Sequence, residues 1–391
     1  MLKSLLKNSL YKNSIYLILN SILLSIFGFI FWNINARLYN VKDIGIATTL
    51  ISVQTIIGIL SSFGLGIAVI RYYSSEKEKA LTNNLIILNT IISLVIGSIF
   101  ILGISTFSPK LILSPIEKLI FILSCLIWTL FSTTNSIFIA KKQSLLILLK
   151  NLIFSILKLI LPFLFIFLGS YGIFSSYVLA TLISLIFTLI LIKYKPSLKI
   201  DKNLLKQTLN FSFANYIASI FNALFGLLMP LIITNLLSPE LTAIFYVPWM
   251  IANILFFIPT SVSQSFLAEN TSSNNFNIKK SLIFSYILVI PAIILTLFLS
   301  DHLLLLFGLE YLQGSLFLKL SVLSTIIYTY NTIKLNSLNI QHKIKELIIA
   351  NLITAFISIS FSIVLINYGL TAIVLSWISG QFLTFLYLIK L

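Results

Sequence analysis

The chain has 391 residues, of which 59% are apolar and only 9% charged, with a mean hydropathy of +1.07. Soluble domains carry about 25% charged residues, so this composition excludes an ordinary soluble protein and points to the membrane. The net charge of +16 sits in short connections between apolar runs. No basic patch with interleaved aromatics is present, which sets nucleic acid aside as a partner.

The chain opens MLKSLLKNSLYKNSIYL, basic and then apolar, without a small-residue cleavage site. A retained first helix is expected there rather than a signal peptide. A helix needs about 20 apolar residues to cross a bilayer. Twelve runs qualify, at 13–36, 44–70, 84–104, 117–139, 144–168, 172–192, 208–236, 242–267, 281–300, 315–335, 346–366 and 370–390. The ten-residue alternation of a barrel, the other way to satisfy a backbone in lipid, is absent. The pattern predicts an all-α polytopic membrane protein of twelve transmembrane helices.

Lysine and arginine set the expected orientation. With the N-terminus inside, 18 basic residues from Lys3 to Lys390 fall on one side, against Arg37, Lys42, Lys110 and Lys118 on the other. Both termini are therefore expected in the cytoplasm, with the chain multi-pass in the cell membrane.

The longest cytoplasmic connection, KYKPSLKIDKNLLKQ, lies at mid-chain over 193–207 and suggests two halves. Phe27-Gly28 returns as Phe225-Gly226, Asn151-Leu152 as Asn351-Leu352, and the segment from Tyr171-Gly172 as that from Tyr368-Gly369. These offsets agree to within three residues. The expected domains are an N-terminal six-helix lobe (1–192), a linker (193–207) and a C-terminal six-helix lobe (208–391). Six spans per half preserve orientation, so the lobes are expected to be related by an axis along the membrane normal around a central cleft. Pro162, Pro230, Pro248, Pro259 and Pro291 fall within spans, as tolerated kinks or as hinges.

Several chemistries are disfavoured. Cys125 is the only cysteine, and His302 and His342 lack partners at ligand spacing. No Gly-rich phosphate loop precedes a Lys-Ser/Thr pair. No cofactor is expected, and a coupling ion is left unassigned.

The informative residues are cations within apolar spans. Lys158 is the fifteenth residue counted from Ser144, about 21 Å along its helix and near the midplane. A charge there costs at least about 2.5 kcal/mol and avoids lipid. It either faces a wet cavity or is a structural lysine bonded to helix carbonyls. Lys150, about 9 Å along, can snorkel to the cytoplasmic interface or line the same cleft about 80° around. Arg37 ends the first span as a lipid-phosphate anchor or as a bidentate phosphate fork. Arg71 ends the second span and obeys the topology rule. Lys319 and Lys334 lie near the ends of the tenth span and are expected to snorkel. Gln54 is the notable polar residue of the second span. With no carboxylate seen deep in any span, cations attract an anionic substrate.

Across the repeat Arg37 maps onto Asn235, Arg71 onto Glu269, and Lys158 onto Ala355–Ser358. The expectation is that the first lobe grips an anionic head while the second supplies neutral polar and aromatic contacts. Tyr328, Tyr330 and Asn331 are the candidates to hold sugars, or else pack between helices.

The stretch NARLYNVKDIGIATTLISVQTIIGILSSFGLGIAVIRYY (35–73) resembles the first repeat of the polysaccharide flippases of Wzx type, in the multidrug/oligosaccharidyl-lipid/polysaccharide exporter superfamily. The resemblance rests on Ala36-Arg37-Leu38, the turn at 40–45, and Gly64-Leu65-Gly66 through Ile70-Arg71. It implies translocation of an anionic polyprenyl-(di)phosphate-linked sugar or oligosaccharide from the cytoplasmic to the outer leaflet, and cationic cleft residues. It does not imply catalysis. The substrate-binding set is Lys158, Arg37, Lys150, Arg71, Gln54 and Lys319. Glycan polymerase or transferase partners are a further expectation. Where related flippases carry a second-helix arginine, this chain has Gln54. The competing readings are a small-molecule or cation antiporter of the multidrug-extrusion type and a membrane polysaccharide polymerase or ligase.

Overall fold

The computed structural model describes residues 9–74, 78–191, 200–270, 278–341 and 343–391. Lys3, Lys7, Lys77, Lys193, Lys195 and Lys199 of the expected cytoplasmic set, and residues 193–199 of the expected linker, lie outside the described residues.

Among the described residues, twelve helices are long and apolar enough to span a membrane. They are α1 (Ser9–Leu38), α2 (Val41–Ser62), α3 (Glu78–Leu102), α4 (Pro115–Ala140), α5 (Ser144–Leu164) and α6 (Ser170–Leu191), then α7 (Lys202–Leu236), α8 (Pro239–Asn270), α9 (Ile278–Leu305), α10 (Ser315–Ile340), α11 (Ile344–Val364) and α12 (Leu370–Ile389). A helix closes every backbone hydrogen bond within itself, which lipid requires. All five intraspan prolines stay inside continuous helices.

The chain divides into two compact units, Met1–Tyr216 and Ile217–Leu391. In the first, α1 packs along α5, α5 on α6, α2 on α4 and α6, and α3 on α4. Side chains stitch the seams. Asn89 Nδ2 donates to Thr133 at 2.8 Å and Thr129 Oγ1 to Ser93 at 3.1 Å, joining α3 to α4. Asn13 accepts from the Ser144 amide and Asp43 from the Ser170 amide, both at 2.9 Å, so α5 and α6 are capped from other helices. Tyr39 donates to the carbonyl of Pro162 at 2.7 Å. Burial, and then the charge of Asp43, push the Tyr39 phenol up to about 12, which keeps it a donor.

After α2, Phe63 and Gly64 take left-handed backbone, and a short helix, Leu65–Tyr72, continues in a new direction. The Phe63 ring stacks on Tyr216 at 5.3 Å, and the Tyr216 hydroxyl donates to the Leu60 carbonyl at 2.7 Å. Leu65, Val69, Leu81, Leu85, Ile137 and Leu204 close this end of the unit as a buried apolar cluster.

The second unit repeats the pairings α8–α10, α9–α10, α10–α12 and α11–α12. Helices α9 to α11 begin 200 residues after α3 to α5, and α12 200 after α6, whereas α1 and α7 end 198 apart, at Leu38 and Leu236. This corrects the repeat as read from sequence at the last helix. The match of Gly172 with Gly369 is out of register: the counterpart of Gly369 is Gly169. Both follow a one-turn 3₁₀ helix, Ile166–Leu168 or Ile366–Tyr368, and both have positive φ, 56° and 74°. Left-handed backbone of this kind is where glycine has no Cβ penalty. The shared register extends to hydrogen bonds. Ser184 Oγ donates to the Lys150 carbonyl at 2.5 Å, and Thr384 Oγ1 to the Ala350 carbonyl at 3.3 Å.

Candidate functional site

In the first unit the chemistry gathers on one face of α5. Lys150 is 1% exposed. Its ammonium donates to the Phe131 carbonyl at 2.7 Å, Thr134 Oγ1 at 2.9 Å and Asn135 Oδ1 at 2.5 Å, and lies 3.9 Å from the Phe131 ring centre. An ammonium has three donors, and all are used. Lys150 is thus a buried tie from α5 to α4, and the expected snorkelling does not occur. The polar side chains of α4 stop it from reaching for the interface.

Lys158, two turns on, is 5% exposed and differs. Its ammonium lies 4.9 Å from the Phe154 ring centre and 5.5 Å from that of Phe31, and makes no hydrogen bond to a described residue. The structural alternative, a lysine bonded to helix carbonyls, therefore describes Lys150 and not Lys158. Trp128, Phe131 and Tyr177 extend the aromatic wall, with Phe154 edge-on to Tyr177 at 5.2 Å and Trp128 to Tyr177 at 5.5 Å. Cation–π attraction offsets part of the desolvation of a buried ammonium, but its donors stay available to an acceptor.

The other expected site residues lie elsewhere. Arg37 is exposed in the last turn of α1, and Arg71 is exposed at the end of the short helix, 6.0 Å from the Tyr72 ring centre. Gln54 is fully buried and donates to the Ser124 carbonyl at 2.8 Å, binding α2 to α4, while its Oε1 has no partner. Lys319 forms an exposed ion pair with Asp301 at 3.3 Å. Asp301, which also accepts from Ser315, lies within α9, beyond the span edge expected from sequence.

The second unit holds a cavity of about 250 Å³ lined by residues of α7, α8, α10, α11 and α12. Asn222, Asn331, Asn336, Asn351 and Gln381 bring amides to it, and Phe225, Tyr328 and Trp377 aromatic faces. Phe225 lies 4.8 Å from Trp377, and Tyr328 4.5 Å from Phe256. Trp377 is fixed by donating to Ser324 at 3.2 Å. Asn331 donates to the carbonyl and to Oε1 of Gln381, at 2.9 and 2.8 Å. Of the sugar-contact candidates, Tyr328 and Asn331 line this cavity, and Tyr330 packs edge-on to Phe385 at 4.9 Å instead. Sequence reading missed Asn351 and Gln381. An isolated asparagine among apolar neighbours, aligned with Asn151, was the available signal.

The twelve-helix fold is shared with solved structures of low sequence identity. An inward-facing multidrug resistance MATE family transporter matches over 93% of this chain and 92% of its own, at 12% identity and TM-score 0.74. The lipid II flippase MurJ, in an inward closed conformation, matches over 97% and 86%, at 16% identity and TM-score 0.75. The eukaryotic MATE transporter AtDTX14 matches over 98% and 96%, at 14% identity and TM-score 0.61. No curated protein matches the sequence. The model of a family described as polysaccharide biosynthesis protein matches residues 10–265, and the chain belongs to that family.

Proposed function

We propose that this multi-pass membrane protein is a flippase. It carries a polyprenyl-(di)phosphate-linked sugar or oligosaccharide from the cytoplasmic to the outer leaflet of the cell membrane, by alternating access of its two units, for surface glycan assembly. The observation that carries the reading is Lys158: a buried ammonium, walled by aromatic rings, with no acceptor among the described residues. Burying an unpaired charge is costly, and a phosphate oxygen relieves that cost through charge-assisted hydrogen bonds. The family, described by polysaccharide biosynthesis, supplies the class of cargo. A phosphate-sugar head cannot cross about 30 Å of hydrocarbon unaided. Outward movement of its negative charge is downhill by about 2.3 kcal/mol per charge per 100 mV, inside negative. Both termini then lie in the cytoplasm, and glycan polymerases or transferases act on the product.

The test is reconstitution in liposomes with a fluorescent polyprenyl-diphosphate sugar. Wild type scrambles or translocates the lipid, and Lys158→Ala loses at least about tenfold in rate. Unchanged translocation in Lys158→Ala removes the site. Cation efflux without lipid translocation replaces the reading with the antiporter.

A further inference from the structure

We infer that the cavity of the second unit binds one uncharged sugar ring of the cargo, which makes it the specificity determinant of a flippase whose first unit takes the phosphate. This rests on the flippase reading for its physiological ligand, though not for its chemistry.

Size comes first. Drug-sized ligands occupy about 300–1,000 Å³. A cavity of about 250 Å³ admits a single small ring and not a chain of them.

Charge comes second. None of the residues lining the cavity is an aspartate, glutamate, lysine, arginine or histidine. A uronate or sialate carboxylate there would be desolvated without a counter-charge, at a cost that excludes it.

Hydrogen-bonding capacity comes third. Asn331 is 2% exposed, and its Oδ1 has no partner. Asn351 is 8% exposed, lines the cavity and makes no hydrogen bond to a described residue. An amide offers two donors and an acceptor, so these groups match hydroxyls or an acylamino substituent. Beside them, the rings of Trp377, Tyr328 and Phe225 line the cavity, and the C–H side of a pyranose packs on aromatic rings.

The repeat shows that this free capacity is particular to the second unit. In the first, Asn151 donates to Asn20 at 2.7 Å. At the 198-residue offset of α1 and α7, the counterpart of Asn20 is Ala218, so Asn351 has lost that partner. The counterpart of Asn331 is Phe131, which fills space in the first unit. The aromatic pair persists with its members exchanged, Trp128 and Tyr177 against Tyr328 and Trp377.

The test is saturation-transfer NMR on the detergent-purified full chain, with methyl glycosides of a neutral hexose, an N-acetylhexosamine and a hexuronic acid. Wild type shows transfer to a neutral ring and at least about tenfold less to the uronate. Asn351→Leu, of similar volume, loses about tenfold in affinity for the neutral glycoside. Equal transfer to the uronate, or no transfer to any glycoside up to tens of millimolar, overturns the inference, and the wild-type ranking decides this even if the variant fails to fold. Translocation of a bare polyprenyl diphosphate is measured in parallel. If that persists while glycosides do not bind, the sugar site alone falls. If glycosides bind and no polyprenyl lipid moves, the flippase reading falls alone.

Discussion

Lys150 and Lys158 share one face of α5, and their ammonium groups meet opposite environments. The first is saturated by three acceptors from α4, and the second faces two aromatic rings and no acceptor among the described residues. The pair therefore separates a structural cation from one proposed to bind ligand, and each makes a different prediction.

Lys150→Met leaves the Phe131 carbonyl, Thr134 and Asn135 without their donor. Removing a buried charged donor from its acceptors costs about 3 kcal/mol or more. The thermal midpoint in detergent falls accordingly, and transport falls with the folded fraction.

Lys158→Met has the reverse profile. It removes an unpaired buried charge, so the thermal midpoint holds or rises. Translocation of a phosphate-linked lipid still drops by at least about tenfold. A variant that both melts early and transports normally would be incompatible with the assignment.

Tyr39→Phe removes a bond from the end of α1 to Pro162, at a cost of about 1 kcal/mol. The phenol is raised from the usual value of about 10 to about 12 by burial and by Asp43. The folded state thus favours the neutral form. This contribution is complete below about pH 10 and is lost as pH rises through about 12. A pH series of melting curves shows the wild type losing its margin over Tyr39→Phe across that window.

Lys319→Ala and Asp301→Ala break an ion pair that is largely in solvent. Exposed pairs contribute about 0–1 kcal/mol. Lys319→Ala changes neither melting nor transport measurably, although Lys319 stood among the substrate-binding residues expected from the sequence, whereas Asp301→Ala also loses the bond from Ser315, at about 1 kcal/mol.

Asn20→Ala recreates in the first unit what Ala218 does in the second. It costs about 1 kcal/mol by freeing Asn151. The double variant with Asn151→Leu recovers most of the loss in a chemical denaturation series, because both polar partners are then gone.

The fold was legible because lipid permits few solutions. Run length, loop charge and the absence of strand alternation lead to twelve helices, and Asn151/Asn351 and Phe27/Phe225 mark the doubling. Helix ends were less legible. Asp301 and the short helix after Gly64 depend on capping and turning, which hydropathy does not register. The site was partly legible. Lys158 stood out by depth, but depth alone does not distinguish it from Lys150, whose acceptors come from a helix whose facing side chains no linear pattern specifies. The amides of the second unit were the least visible, since an asparagine in a span reads the same whether or not it has a partner. Only the comparison of Asn20 with Ala218 separates them.

The common spacing of 200 residues from α3 to α6 and from α9 to α12 has a consequence for the history of the chain. The two-residue slip to 198 falls between the second helix of each half and the third. Length differs between the halves at that joint, while the helix starts beyond it keep count. Divergence was written in side chains instead: lysine against alanine at 150 and 350, lysine against serine at 158 and 358. Grafting α5–α6 onto the place of α11–α12 asks what each pair contributes, since α5 and α11 match at 21 residues and α6 is only two residues longer than α12.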